Sequence, residues 1–595
     1  MFKLVMILLM GSNIVYGQHI LTNHSDVKKY VDIPQERIFV HHNASLLFAG
    51  EYLYYKMYCL STDTNTLSHT SKIAYIELVG EGGERIIKNK IKLTEGLGQG
   101  EFFIPTSVPS GNYKLLGNTQ WMRNGDKNHF FHTDIAIINP YQGNQENILA
   151  LNTNTDESFK TNSANGLDAL IEDRVTKNNL LDHIALSTNT QTFSKRSPVS
   201  LSVKSLKEDL SHGSYSISVR KIDAIKTPSM HNTFSYSALY KSNDIKLGGV
   251  GTHIYLPESK GEMVYGTVVN IETNLPVAKK KVVMSILGNK NKPAVAYTNS
   301  EGLFYFYIDV NYNGAKAILQ VFEEDYQHKV VMNTHQSLDY SDLTFNEFKI
   351  NSKMKDLIQQ RSVYNQIQNG YFSVKPDTVK TITLPEPFYG GRQKTYNLDD
   401  YTSFDSVEGI MLEIINHAWT TKDKNGNPVF IVRGHEFNPY YELGLLPLLL
   451  VDGIYVQNHE TVINYNAKDI KNVTISKDDY YDGTTVYKGI MNIETKTGEF
   501  HKVLNESYIS HVDLFSPELK KDYFHQTYSE LTKNETDRIP DFRQQLLWMP
   551  ELIFNQDETT ITFFTSDNKG DYEISLEGFT DSGKPVSVKK MIRVE

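Results

Sequence analysis

Glu36–Leu60 reads "ERIFVHHNASLLFAGEYLYYKMYCL": two apolar runs of strand length joined by a short segment containing Asn43, Ser45 and Gly50. Tyr52, Tyr54, Met57 and Cys59 sit among apolar neighbours, so Cys59 is expected to be a buried strand residue. Working outward, "KIAYIELVG" and "GEFFIPTSVPSGNYKLLGNTQWM" continue short strands punctuated by Gly, Pro and Asn to about Ile138. Strands at such spacing imply a β-sandwich, and Pro109 and Gly111 set a turn before the strand carrying Tyr113.

At 595 residues the chain exceeds one core, and about 150 residues per domain predicts roughly three to five domains. The 36 Tyr and 28 Phe favour half-buried strands, and a formal charge of −10 without a basic face argues against a nucleic-acid partner. "MFKLVMILLMGSNIVYGQ" has Lys3, the apolar run Leu4–Met10, and Val15 and Gly17 at the −3 and −1 positions. That is the pattern of a secretory signal peptide ending at 17, with an exported chain starting at Gln18. No other window approaches the ~18 apolar residues of a membrane span.

"ERIFVHHNASLLFAGEYLYYKMYCL", "AYIELVGEGGERI" and "GEFFIPTSVPSGNYKLLGNTQWMRN" resemble the MG2-type macroglobulin domain of large secreted Bacteroidota proteins, with a closing Trp121-Met122-Arg123 hairpin. "IALSTNTQTFSKRSPVSLSVKSL" and "GSYSISVRKIDAI" resemble the next such domain; "YSISVRKID" alternates, predicting one buried and one wet face. "GEMVYGTVVNIETNLPVAKKKVVMSILGNKNKPAVAYTNSEGLFYFYID" resembles a carboxypeptidase-regulatory-like sandwich, which is not itself a peptidase. Its turns are "ETNLP", with Pro276, and "NSEG", with Gly302 free to take φ > 0. Met354, Leu357, Ile358 and Val363 predict an amphipathic helix ending near Gly370.

Residues 405–500 resemble the plug of TonB-dependent receptors: a helix "SVEGIMLEII", "FIVRG", "PLLLVDGIYV", "YNAKDIKNVTISKD" and "YKGIMNIETKTG". Asp452 and Gly453 are read as a hairpin turn between Leu448–Val451 and Ile454–Val456. After Phe500 too few residues follow for a receptor barrel. The segment with "DRIPDFRQQLLWMPELIF" and "GDYEISLEGFTDSGKPV" resembles C-terminal macroglobulin-type strands.

The expected fold is mainly β: a string of macroglobulin- or immunoglobulin-like β-sandwiches with one inserted α+β plug-like domain. The boundaries are a signal peptide at 1–17, a first sandwich at 37–138, a linker at 139–180 and a second sandwich at 181–255. A carboxypeptidase-regulatory-like domain at 256–335, a helical linker at 336–385, the plug-like domain at 386–500 and a C-terminal β-domain at 501–595 follow.

Chemistry is sparse in the sequence. His41-His42 share a strand and point to opposite faces, while His129, His132 and His435-Glu436 lack the spacing of a zinc site. "GLGQG" at 96–100 precedes a strand and not a helix, so it reads as a β-turn. Cys59 has no Cys-x-Glu-Gln context, which removes the macroglobulin thioester, and Asp478-Asp479 read as solvated turn residues. No catalytic residue, metal or cofactor is expected. Candidate partner-binding loops carry Tyr440, Tyr441, Tyr480, Tyr481 and Tyr487. The resemblances imply a non-enzymatic binding or scaffold protein of the outer-membrane envelope with an outer-membrane or periplasmic protein partner. The alternative is an accessory of TonB-linked uptake that docks through the plug-like module.

Overall fold

Alternating and continuous apolar runs become strands throughout the computed structural model, and the fold is mainly β. The structure describes residues 33–125, 127–150, 184–207, 212–240, 255–288, 292–309, 312, 316–323, 325–333, 338–380, 387–390, 392–401, 404–434, 445–483, 485–528, 538–554 and 557–595. The signal-peptide segment 1–17 lies outside them. The chain divides into two units, each alternating with the other along the sequence.

The larger unit runs over the described residues of Ile20–Gly261, Ser337–Thr381 and Pro517–Glu595. Its first sandwich has a three-stranded sheet, Glu36–His42, Tyr52–Ser61 and Leu97–Phe103, against a five-stranded one. The second sheet is ordered Leu46–Phe48, Phe131–Ile138, Gly111–Asn118, Ile73–Gly80, Arg85–Lys92. Ile38, Val40, Met57, Cys59, Leu78 and Leu115 fill the core between them. Gly96 takes φ 77° in the turn leading into Leu97–Phe103. Trp121-Met122-Arg123 form a 3-10 turn in the connection between the antiparallel pair Gly111–Asn118 and Phe131–Ile138, and the buried Trp121 indole donates to Pro34 O at 3.0 Å.

The second sandwich corrects the predicted boundaries. Gly213–Lys221 is flanked by Gly570–Thr580 and Gln545–Leu552, and Pro198–Ser205 pairs with Glu558–Phe564. The stretches read as separate domains at 181–255 and 501–595 therefore build one sandwich, whose core mixes Val199, Ile217, Leu547 and Ile574. Neither half buries its own apolar face alone, and strand pairing between distant segments leaves no local sequence signal. The wet face expected for Gly213–Lys221 is also covered. Ser216 and Ser218 are buried because the first sandwich lies on them. His41 Nδ1 meets Ser216 Oγ at 2.6 Å, His41 Nε2 meets Ser575 Oγ at 3.2 Å, and Tyr58 donates to Glu577 O at 3.2 Å.

Two predicted linkers are packed where they are described. Ile148, from the 139–180 stretch, is buried with Phe348 and Ile350, and the helix Lys355–Gly370 of the 336–385 stretch docks on the first sandwich.

The smaller unit holds the described residues of Glu262–Gln336 and Ile382–Ser516. One sandwich pairs Leu303–Ile308, Glu262–Asn270 and His328–Met332 against Ala294–Tyr297, Lys281–Ile286, Lys316–Val321 and Ile509–Asp513. The last strand comes from the stretch predicted as C-terminal domain, a second boundary correction. Gly302 has φ 73°, and a Cβ there would lie 2.8 Å from Val277 N. The other element is a five-stranded sheet in the order Gln393–Asn397, Ile470–Ser476, Ile490–Thr495, Leu448–Val451, Ile454–Tyr455. Helices Val407–Glu413, capped by Ser406 Oγ, and His459–Ile463, capped by Asn458, pack their apolar residues into its core.

Candidate functional site

The site is built around the helix Lys355–Gly370, which packs Ile358 on the core as expected but buries polar residues beside it. Leu357 and Val363 are 36% and 46% exposed, whereas Arg361, Ser362 and Asn365 are buried. The helix reaches backbone carbonyls: Arg361 Nη2 donates to Leu46 O at 3.0 Å, Asn365 Nδ2 to Ala49 O at 2.8 Å, and Asn369 Nδ2 to Gly50 O at 3.0 Å. These carbonyls belong to the strand Leu46–Phe48 and the turn after it, which would otherwise leave buried acceptors unpaired. Gly50 has φ 92°, and a Cβ would sit 2.7 Å from Asn369 Nδ2, so the turn and the helix fit only through glycine.

Charges below the helix are paired. Arg361 grips Glu51 through Nε at 2.8 Å and Nη2 at 2.7 Å and also pairs with Asp223, while Arg220 approaches Glu51 at 3.4 Å. Burial pushes the Glu51 carboxyl up, but Arg361, Arg220 and the Phe48 N–H outweigh it and hold it below the ordinary value. Burial acts likewise on Asp541, and Arg543, Lys375 and Tyr528 bring it down to about 2.

Beside this network opens a cavity of about 180 Å³. One wall is an aromatic ladder: Phe372 on Tyr52 at 6.0 Å, Tyr52 on Tyr54 at 5.8 Å and Tyr54 on Trp548 at 6.0 Å, all within 22° of parallel. Tyr523 meets Tyr54 edge-on at 5.1 Å. Two donors of residues around it are enclosed by protein without a hydrogen-bond partner among the described residues: Trp548 Nε1, on a side chain 3% exposed, and Gln368 Nε2. Gln368 is held by Lys375 Nζ, which donates to its Oε1 at 3.1 Å, and that bond fixes the amide orientation. Asp377 accepts from Phe524 N at 2.8 Å; burial, with Glu101 nearby, raises its carboxyl above the ordinary value despite that bond.

The residues singled out in the sequence lie elsewhere. Tyr440, Tyr441 and His435 fall outside the described residues. Tyr480 and Tyr487 face each other across a two-stranded ribbon at 6.1 Å, Tyr480 packing on Phe388 and Tyr487 on Tyr455; only Tyr481 projects, 65% exposed. Among the described residues of the expected tip one ring projects, because alternation along a strand turns its neighbours inward. Asp452 and Gly453 have φ 51° and 80° and close the turn from Leu448–Val451 to Ile454–Tyr455. The Asp452 carboxylate accepts from Thr495 N and Thr495 Oγ1, each at 2.7 Å, and from Phe500 N at 3.2 Å, which makes it a structural tie.

Burial takes His41 down to about 3 and His42 to about 4, so both are neutral packing residues; burial also pushes the Cys59 thiol well up. Asp479 pairs with Lys488 at 3.0 Å. Among the described residues no group of His, Cys, Asp or Glu is arranged to hold a metal ion. The cavity was not singled out from the sequence, since its walls come from residues 50–54, 220, 361–377 and 523–548. The one local trace is Tyr52 and Tyr54, whose i, i+2 spacing places both on one face.

No family model and no curated protein matches the chain. Among solved structures it is similar to the native conformation of Escherichia coli alpha-2-macroglobulin, at 10% identity and TM-score 0.23, over 95% of this chain and 40% of that one. Escherichia coli alpha-2-macroglobulin activated by porcine elastase aligns at 9% identity and TM-score 0.22, over 94% and 44%. Salmonella alpha-2-macroglobulin reacted with methylamine aligns at 9% identity and TM-score 0.22, over 94% and 39%. The chain spans less than half the length of each. No helix among the described residues is long and apolar enough to cross a membrane.

Proposed function

We propose that this chain is a non-enzymatic, exported binding protein that serves as a scaffold in a bacterial outer-membrane envelope. The carrying observation is the cavity beside the helix Lys355–Gly370. Its cations are held by internal carboxylates, as Arg361 is by Glu51, while the rings of Tyr52, Tyr54 and Phe372 line the opening. Such a site is preorganised for recognition, whereas nucleophilic or acid–base chemistry needs a reactive group with a positioned partner. Export, the envelope and a periplasmic or outer-membrane partner are supported by the leader-like N-terminus and the sequence resemblances.

The test is purification of the C-terminally tagged full chain from detergent-solubilised envelopes, with mass spectrometry, for the wild type and a cavity-filled Gln368→Trp variant. A bound partner or ligand that is lost in the variant supports the proposal. Equal recovery from both, or no companion at all, overturns the cavity as the binding site.

A further inference from the structure

We propose that the cavity receives a carboxylate carried on an apolar body, the anion meeting Arg220 and the body lying against Tyr52, Tyr54 and Phe372. The inference rests on reading the cavity as a binding site.

The cations of the lining are not equally held. Arg361 has Glu51 and Asp223, and Arg543 has Asp541. Lys375 donates to Gln368 Oε1 at 3.1 Å and stands 3.7 Å from Asp541. Arg220 has a 3.4 Å contact from Nη2 to Glu51 Oε2, an oxygen that already accepts from Arg361 Nη2 at 2.7 Å and Phe48 N at 3.2 Å. Its Nε and Nη1 have no hydrogen-bond partner among the described residues, and neither atom is enclosed by protein, on a side chain that lines the cavity. Burial, with Arg361 alongside, lowers the Arg220 guanidinium from its ordinary value against the pull of Glu51, as befits a cation short of counter-charge. A carboxylate matches the planar fork of a guanidinium, and the pair is strongest where the cation is already desolvated.

The rest of the lining selects what carries the anion. Tyr52 and Tyr54 stack in a row that ends in Phe372, 45% exposed, and Phe524, 37% exposed, also lines the wall. An inorganic anion would leave these rings wet, whereas an uncharged apolar guest would strip water from Arg220 without replacing it. A cationic guest is opposed by Arg220, Arg361, Lys375 and Arg543, which outnumber the lining carboxylates Glu51 and Asp377. A volume of about 180 Å³ lies below that of drug-sized pockets and suits one ring-sized body. Such a group is either the end of a polypeptide with an apolar last residue or a free aryl acid. Asp377 separates the two: its Oδ1 takes the Phe524 N–H at 2.8 Å, and its other oxygen, without a partner among the described residues, is open to a peptide N–H.

The experiment is saturation-transfer NMR and calorimetry on the full chain with N-acetyl-phenylalanine, which mimics a chain end, and phenylpropionate, a free acid. N-acetyl-phenylalanine amide and inorganic phosphate are the contrasting probes. At least one acid is expected to bind saturably, with the amide roughly tenfold weaker or more. A preference for N-acetyl-phenylalanine assigns the site to a chain end, and equal or tighter binding of phenylpropionate assigns it to a free acid. Arg220→Gln should weaken the acid by roughly tenfold or more, Arg220→Lys by less, and Phe372→Ala by roughly threefold. Glu51 keeps Arg361 in the Arg220 variants, so their melting temperatures should hold; were Arg220→Gln to unfold, Arg220→Lys and the exposed Phe372→Ala carry the test. An amide that binds as tightly as the acid, selective binding of phosphate, or acid binding that the Arg220 variants leave unchanged overturns the assignment. If neither acid binds while Gln368→Trp still strips a partner from the envelope preparation, the carboxylate assignment fails and the binding reading stands. If no probe binds and no partner is lost, both fail.

Discussion

The region under the helix Lys355–Gly370 and the five-stranded sheet of the smaller unit are both well buried, yet they are held by opposite means. In the sheet, Leu449, Val451, Val473, Ile475, Met491 and Ile493 pack against Val407, Ile410 and Val462, and water exclusion supplies the stabilisation. Even the buried His459 is neutral there, lowered to about 4 by burial, with Phe430 N donating to its Nδ1 at 3.1 Å. Under the helix, by contrast, Arg361, Asn365 and Asn369 are tied to backbone carbonyls and to Glu51. An apolar contact tolerates small shifts, whereas a bidentate ion pair and three carbonyl bonds admit one orientation. The polar arrangement therefore specifies where the helix sits, and with it the position of Gln368 in the cavity wall.

The largest effect that separates the two is expected from Arg361→Ala. It strands Glu51 and Asp223 as buried charges and should cost roughly 3–5 kcal/mol in denaturant unfolding, with proteolysis near residues 371–380 as the helix releases. Adding Glu51→Gln should recover part of the loss; if the double variant is weaker still, the ion pair is not what holds the helix. Phe430→Ala, in the apolar core packed on the sheet, should cost a similar 3–5 kcal/mol through cavity formation, but with little change between pH 5 and 8. A steep pH dependence there would erase the contrast.

A smaller effect follows from Glu577, whose buried carboxyl accepts from Thr233 N at 3.0 Å and Ser587 Oγ at 2.6 Å. Burial raises it from 4.5 to about 7, against these bonds. The folded state thus keeps this proton longer than the unfolded chain does. Its stabilising contribution is complete below pH 4.5 and is lost as pH rises through 7, on the order of 3 kcal/mol in total. Glu577→Gln should flatten that part of the stability–pH curve; an unchanged curve would show that the group does not titrate there. Glu51 works in the other direction: its lowered value gives stability that is lost on acidification.

The smallest effect is expected at Asp452→Ala, about 1–3 kcal/mol, from a non-glycine residue at φ 51° and the loss of acceptors for Thr495 and Phe500. Asp452→Asn should lose less, since Asn tolerates the left-handed region. Equal losses in the two variants would assign the effect to the carboxylate and not to the turn.

Much of the local structure was legible. The turn at Asp452-Gly453, the positive φ of Gly302, the strand burial of Cys59 and the helix ending at Gly370 follow from short-range rules that act within a few residues. The candidate site was not legible, because Trp548, Gln368 and Tyr54 acquire a common role only by convergence from three distant segments. Of the apolar set, Met354 and Ile358 pack on the core while Leu357 and Val363 stay exposed, and Arg361 fills the buried face instead, since a buried Arg361 is indistinguishable in sequence from a solvated one until its partners are placed.

By itself the sequence determined that the chain is rich in β-strands, where many of them begin and turn, and that its lone cysteine is packed away. Only the tertiary structure decided that strands 213–221 and 570–580 share a sheet, that Ser216 and His41 lie in an interior, and that a polar helix face is the buried one. The physical reason is that a residue's alternation and turn propensity are local energies, whereas the burial of a polar group becomes favourable only when a partner from elsewhere in the chain replaces its water.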